Sequence, residues 1–188
     1  MSKFYTVDKK INGEVYTGQF NGISAALKAI DDSYIEGSSN TSLKKLATYL
    51  FNHVVITPKI KIDDFGAEKI GTTETKTIGD VEYTAKFNGM TAALEAIDNS
   101  YIEGSNNTSS EKLAKYLLEE VIVSPANLTA DDFDSMDDFN AVISFAKEVM
   151  QGGKAMDDFN AVVGFAKDVM QGNFRDKKQS GAKEESKG

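Results

Sequence analysis

The chain contains two near-copies of one segment. Residues 16–58 and 83–125 align without gaps at an offset of 67, and 27 of these 43 positions are identical. A shorter segment is also duplicated, since residues 136–152 and 156–172 match at 14 of 17 positions. Such repetition indicates structural units that are each used twice. It favours a binding or assembly protein over an enzyme with one asymmetric active site.

Each long copy begins with the pattern of a β-hairpin. Asn12-Gly13 and Gly79-Asp80 are dipeptides that supply the backbone angles of a tight turn. In the second copy the apolar residues alternate with polar ones after the turn, at Val81, Tyr83, Ala85 and Phe87. Alternation with period two is typical of a half-buried strand.

Two helices are predicted after each hairpin. The first has an apolar stripe at helical spacing, formed by Ile23, Ala26, Leu27, Ile30 and Tyr34, and in the second copy by Met90, Ala93, Leu94, Ile97 and Tyr101. The next stripe comprises Leu46, Ala47, Leu50 and Val54, matched by Leu113, Ala114, Leu117 and Val121. Short β-branched runs before Pro58 and Pro125 are compatible with a third strand.

The short duplicated segment predicts two amphipathic helices of about 14 residues, a length that is marginal for an isolated helix in water. Two interpretations of their apolar faces stay open: each helix completes the core of one unit, or at least one offers its face to another protein. The candidate partner-binding residues are Phe139, Val142, Phe145, Phe159, Val162 and Phe165.

The predicted fold class is therefore α+β: two tandem repeated units, each a β-hairpin plus two helices, followed by two repeated amphipathic helices. We assign residues 1–65 to the first unit and residues 78–134 to the second. Residues 66–77 are polar and predicted to be a linker, although residues 72–77 also suit a first strand of the second unit. Residues 135–172 form the two helices, and the polar residues 173–188 are expected to be disordered.

Composition narrows the classes of function. The formal net charge of −8 disfavours nucleic acid as a partner, because phosphate contacts require clustered Lys and Arg. The chain has no cysteine, which excludes disulfides and thiolate metal sites. No signal-peptide pattern is present, and no apolar run approaches the roughly 18 residues that span a bilayer. We therefore expect a soluble cytoplasmic protein without a membrane partner.

The sequence offers no catalytic constellation. His53 is the only histidine, and Glu120 takes its place in the second copy. The acidic residues between 131 and 138 lack the spacing of a calcium loop and fit helix starts better. We predict no catalytic, cofactor-binding or metal-binding residue, and hence a protein that is not an enzyme.

The order of short motifs resembles a known family. The hairpin is followed by FNG and an Ala-rich helix, then YIEG, KLA-YL, a strand ending at Pro, and the run DDF, MDDFN and FAKDVMQGNFR before a charged tail. This series is most complete over residues 83–175. It resembles the small tail assembly chaperones of phages and prophages of Gram-positive bacteria, and residues 16–65 resemble the same family without its terminal helix.

The resemblance implies a non-enzymatic protein of virion morphogenesis in the cytoplasm of the infected host cell. Such a chaperone binds and solubilises the phage tape-measure protein and recruits the major tail protein of the tail tube. Both duplications depart from the single-unit family pattern, so self-association and an internal pseudo-dimer stay open. Two other functions also stay open: a structural tail component, and a small acidic phage-encoded inhibitor of a host protein.

Overall fold

The computed structural model describes residues 4–174, and it has the predicted α+β fold. The first unit comprises strands β1 and β2, helices α1 and α2, and strand β3; their bounds are Tyr5–Ile11, Glu14–Phe20, Ile23–Asp32, Leu43–Tyr49 and Val55–Thr57. The three strands form an antiparallel sheet in the order β1-β2-β3. Ile11 pairs with Glu14, which confirms the tight turn at Asn12-Gly13.

The second unit repeats this order of elements. It comprises β4, β5, α3, α4 and β6; their bounds are Thr73–Ile78, Val81–Lys86, Met90–Asn99, Ser110–Tyr116 and Ile122–Ser124. Its sheet has the order β4-β5-β6, and Ile78 pairs with Val81 across the predicted turn. We refer to these bodies, residues 4–65 and 71–133, as unit 1 and unit 2.

The linker predicted at residues 66–77 differs from the structure. Ala67–Lys69 is a 3₁₀ turn, and strand β4 begins at Thr73. The Gly71 N–H already donates to the Phe87 carbonyl, at 2.8 Å. Of the two alternatives left open for residues 72–77, the structure has the strand, where backbone pairing with β5 outweighs the polar composition.

The helix that follows each YIEG loop ends in a wide turn that the sequence pattern did not predict. The chain continues from α2 into a π turn at Leu50–Val54, where the Val55 N–H donates to the Leu50 carbonyl. Leu117–Val121 repeats this geometry after α4. Because the extra residue rotates the chain, Leu50, Phe51 and Val54 all lie in the core.

Two long helices follow the units. Helix α5 spans Met136–Gln151 and α6 spans Lys154–Met170, with Gly152 in a left-handed conformation between them. Residues 175–188 of the predicted disordered tail lie outside the described residues. Phe174, which we also assigned to that tail, instead packs its ring against Phe165, with 5.9 Å between centroids.

Candidate functional site

Each long helix completes the core of one unit. Helix α5 packs on β4, β5 and the π turn of unit 2, and α6 packs on β1, β2 and the π turn of unit 1. The two hydrophobic clusters of the structure follow this division, with Val142 and Phe145 in the cluster of unit 2, and Phe159, Val162 and Phe165 in that of unit 1. The first of the two open interpretations therefore describes how these helices pack.

The six candidate partner-binding residues lie mostly inside the molecule. Phe159 is fully buried, four others are at most 5% exposed, and only Phe139 is half-buried. A partner could contact five of these side chains only if α5 or α6 left its unit. Their role in partner binding stays a prediction.

The two units contact each other through different surfaces. Helix α3 of unit 2 packs against α2 and the 3₁₀ turn Ile62–Asp64 of unit 1. Met90 and Leu94 of α3 are completely buried, and they belong to the hydrophobic cluster of unit 1. The arrangement is head to tail, because the helix that docks comes from unit 2 and the groove that receives it comes from unit 1.

Polar contacts surround this joint between the units. The Ser42 hydroxyl donates to Asp98 Oδ2 at 2.5 Å and also accepts from the Lys45 N–H as the N-cap of α2. The Thr91 N–H donates to Asp63 Oδ1 at 2.8 Å. Lys44 and Glu95 form an ion pair.

Two further contacts join the loop between α1 and α2 to the loop between α3 and α4. The Asn40 side-chain amide donates to the Ser105 carbonyl at 2.8 Å. The Ser39 hydroxyl donates to Asn106 Oδ1, also at 2.8 Å. The joint therefore has an apolar centre and a polar rim, as specific interfaces do.

The carboxyl of Asp98 is partly buried at the joint. Burial between the units raises the pKa of its carboxyl above the ordinary value, since desolvation disfavours the charged form. Hydrogen bonds from Ser42 and from the Leu43 N–H oppose this shift. The equivalent residue in unit 1 is Asp31, which is exposed.

The groove that receives α3 on unit 1 has an open counterpart on unit 2. It is a groove of about 600 Å³ beside α4 and the start of α5, and its apolar lining includes Ala114, Leu118, Leu128, Phe133, Met136 and Phe139. The residues at the matching positions of unit 1 are Ala47, Phe51, Ile60, Phe65, Met156 and Phe159, and all of them pack in the cluster that α3 joins. Met136 is 69% exposed at the open groove.

The face of α3 that fills the groove of unit 1 also has an exposed counterpart, which lies on α1. Ile23 and Leu27 of α1 occupy the positions of Met90 and Leu94, yet they are 57% and 58% exposed. The sequence pattern placed Ile23 and Leu27 in an apolar stripe without predicting their exposure, and of the groove lining it gave only Phe139 as a candidate contact. Their apolar stripes match those of the other copy, and no signal in the sequence tells which copy is covered. We take the open groove and the open face of α1 as the candidate functional site.

The described residues add little evidence on metal binding or catalysis. Within residues 4–174 no group of three or more His, Asp or Glu side chains is placed to hold a metal ion. In the same range, no helix is both long and apolar enough to cross a membrane. His53 is exposed on the π turn, with its ring next to that of Tyr49.

Comparisons with family models, with curated proteins and with solved structures gave no match for this chain. The motif resemblance and the geometry of the open groove and the open face of α1 are therefore what bears on function.

Proposed function

We propose that this chain is a phage tail assembly chaperone, a non-enzymatic protein of the infected bacterial cytoplasm. In this role it binds the tape-measure protein, keeps it in solution and helps to recruit the major tail protein. The motif series of residues 83–175 supports the proposal, because it resembles that family over a whole unit and its helix.

The observation that carries the proposal is the row formed by the two units. Unit 2 packs on unit 1 through α3, and the row ends in an open groove at one side and an open helix face at the other. A row of equivalent modules offers the same surface at regular intervals. Such a surface suits a long helical partner. A compact protein with a single binding site would cover only a short part of that partner.

The acidic surface supports the same role. Between residues 130 and 170 the chain has nine Asp and Glu residues but only three Lys residues. Net charge of one sign keeps a protein and its complexes in solution. A chaperone that carries an aggregation-prone cargo benefits from this property.

A structural tail component is the second candidate, and the same open ends favour it. Modules with matching open ends also build tubes and connectors. The two functions differ in the fate of the chain, since a chaperone is absent from finished tails and a structural component is retained. Immunodetection of the chain in purified virions separates them.

The test of the proposal is co-expression with the tape-measure protein of a phage that encodes a related chaperone. We expect the tape-measure protein to move from the pellet to the soluble fraction and to copurify with this chain. An unrelated acidic protein, expressed at the same level, controls for a general effect of charge. A tape-measure protein that stays in the pellet would contradict the proposal.

Matched variants test the predicted contact residues in the same assay. Phe139→Asp changes the one candidate contact that is half-buried, and Val15→Asp changes an exposed apolar residue on β2 outside the candidate set. We expect Phe139→Asp to reduce copurification and Val15→Asp to leave it unchanged. Equal copurification with both variants would remove Phe139 from the contact surface.

A further inference from the structure

We propose that the open face of α1 in one chain docks into the open groove of unit 2 in a second copy, so that chains join head to tail. The inference goes beyond the proposed function and does not depend on it; within a row of chains the groove that contains Phe139 would be open to cargo only at the free end. It uses the internal joint between unit 1 and unit 2 as its template. In that joint α3 fills the groove of unit 1. The same two kinds of surface are exposed elsewhere in the chain, as the face of α1 on unit 1 and the groove on unit 2.

The apolar centre of the joint can be rebuilt between two copies. Ile23 and Leu27 would take the places of Met90 and Leu94, which are both fully buried inside the chain. Two large aliphatic side chains at a spacing of four residues lie on one face of a helix. The open groove offers aromatic, aliphatic and Met side chains to receive them.

The polar rim has a counterpart at nearly every position. Ser109 and Asp31 match Ser42 and Asp98, and Ser109 already caps α4 as Ser42 caps α2. Asn107 matches the donor Asn40, and Ser38 matches the acceptor Ser105. The pair of Ser39 and Asn106 would recur with the two residues on opposite sides.

The 3₁₀ turn supplies a further matching contact. Asp131 stands in the turn Ala130–Asp132 where Asp63 stands in Ile62–Asp64. It would accept from the Ser24 N–H of the second copy, as Asp63 accepts from the Thr91 N–H within the chain. Both N–H groups lie in the first turn of a helix, where they have no partner within the helix.

The ion pair of the joint gives the strongest argument for a second copy as the occupant. Inside the chain Lys44 of unit 1 pairs with Glu95 of unit 2. At the open ends the corresponding residues are Glu111 in the groove and Lys28 on α1, so both signs are reversed together. A double reversal keeps the attraction only if these two surfaces meet each other.

The reversal also selects the partner surface. Lys28 faces a carboxylate in the groove of unit 2, whereas Lys44 would repel it in the groove of unit 1. In the free chain Lys28 pairs with Asp32 one turn further along α1, and both side chains are largely exposed. An exposed pair of this kind contributes little to stability, so it can be exchanged for Glu111.

The contact would be heterologous, because a face and a groove of different shape meet. Heterologous contacts produce rings when the rotation closes and open helical rows when it does not. Each added chain would continue the alternation of unit 1 and unit 2.

The test measures the mass of the purified full chain by sedimentation velocity over a wide concentration range, without cargo. We expect the mean mass to rise with concentration. Leu27→Glu should raise the dissociation constant at least about tenfold, because it places a carboxylate in the apolar groove. Lys28→Glu and Glu111→Lys should each raise it about three- to tenfold.

The double variant Lys28→Glu/Glu111→Lys is the decisive one, since it recreates the polarity of the internal pair. We expect its dissociation constant to return close to that of the unchanged chain. Lys10→Glu makes the same charge change on the exposed strand β1 and should have no effect. Circular dichroism of each variant confirms that it is folded.

Three results would overturn the proposal. One is a chain that stays monomeric at every concentration, which would leave the groove to a different occupant such as a helix of the cargo. The second is self-association that Leu27→Glu does not weaken. The third is a double variant that associates no better than either single variant.

Discussion

Phe65 and Phe159 are 94 residues apart in the chain, yet their rings pack edge to face with 5.6 Å between centroids. Phe133 and Phe139 are six residues apart and repeat this contact at 5.5 Å. Phe65 and Phe133 each end a DDF motif, and Phe159 and Phe139 lie in the two copies of MDDFN. The same aromatic pair therefore joins body and helix in both units.

This relationship shows that unit 2 and α5 are inserted between unit 1 and α6, the helix that completes the core of unit 1. The body of unit 1 ends near Gly66, and its helix begins at Lys154. The two ends of the insertion meet, because a Cβ on Gly66 would lie 2.8 Å from the Ala155 Cβ. An insertion whose ends are adjacent interrupts the host unit at little cost.

The nested order predicts that unit 2 folds without unit 1. A fragment of residues 71–152 contains its sheet, both of its helices and α5, which together form one hydrophobic cluster. We expect cooperative thermal unfolding, followed by circular dichroism. The matched control is a fragment of residues 71–134, which lacks α5 and should be largely unfolded. A fragment of residues 71–152 without a cooperative transition would contradict the nested order.

Phe159 should contribute far more to stability than its sequence equivalent Phe139. The Phe159 ring is fully buried against Phe51 and Phe65. Phe159→Ala should lower the free energy of unfolding by about 3–5 kcal/mol, and Phe139→Ala by about 1–2 kcal/mol because that ring is half-buried. Urea denaturation measures both changes. Equal losses would show that the two helices pack alike, contrary to the structure.

Gly152 separates the effect of space from that of backbone conformation. Its φ is 67°, and a Cβ there would lie 2.8 Å from the Phe87 ring. Gly104 has a φ of 72° with no atom within 4 Å of a Cβ. Gly104→Ala should cost about 1 kcal/mol from the left-handed backbone alone. Gly152→Ala should lower the thermal midpoint clearly more, and an equal shift would disprove the close contact.

Asp98 should make the joint between the units sensitive to pH. Burial raises the pKa of its carboxyl in the folded chain above that in the unfolded chain. The folded state then holds this proton more tightly, so its contribution to stability is complete below a pH of about 4 and is lost as the pH rises through the raised pKa. Asp98→Asn removes this loss.

The measurement is the free energy of unfolding of Asp98→Asn and of the unchanged chain between about pH 3 and pH 7. We expect the variant to gain stability relative to the unchanged chain as the pH rises. A gain that is independent of pH would mean that Asp98 does not titrate in the joint.

The elements themselves could be predicted from the residues. Asn12-Gly13 and Gly79-Asp80 form the expected turns, and the alternation of Tyr83 and Ala85 gives the buried face of β5. These features depend on local backbone preferences and on periodicity, which a single sequence displays.

The assignment of each long helix to its unit could not be predicted, because α5 and α6 carry the same apolar stripe. The length of the connection along the chain decides which unit each helix joins. Helix α5 begins at Met136, directly after Phe133 at the end of unit 2, and this short connection holds α5 there. The core of unit 1 is then left for α6.

The exposure of the candidate site could not be predicted from the sequence for a related reason. Leu27 and Leu94 are identical in type and in position along their helices, yet one is 58% exposed and the other is fully buried. Only the packing of unit 2 on unit 1 distinguishes them. The reversed pair of Lys28 and Glu111 is visible in the sequence, but it acquires a meaning only once Lys44 and Glu95 are seen in contact.

The most direct test of this account mixes two chains that are each blocked at one end. Leu27→Glu blocks the face of α1, and Ala114→Glu blocks the open groove. Each variant alone should be a monomer of 20.5 kDa. An equimolar mixture should form a dimer and no larger species, because one intact face meets one intact groove. A mixture that stays monomeric, or a single variant that still assembles, would contradict head-to-tail joining.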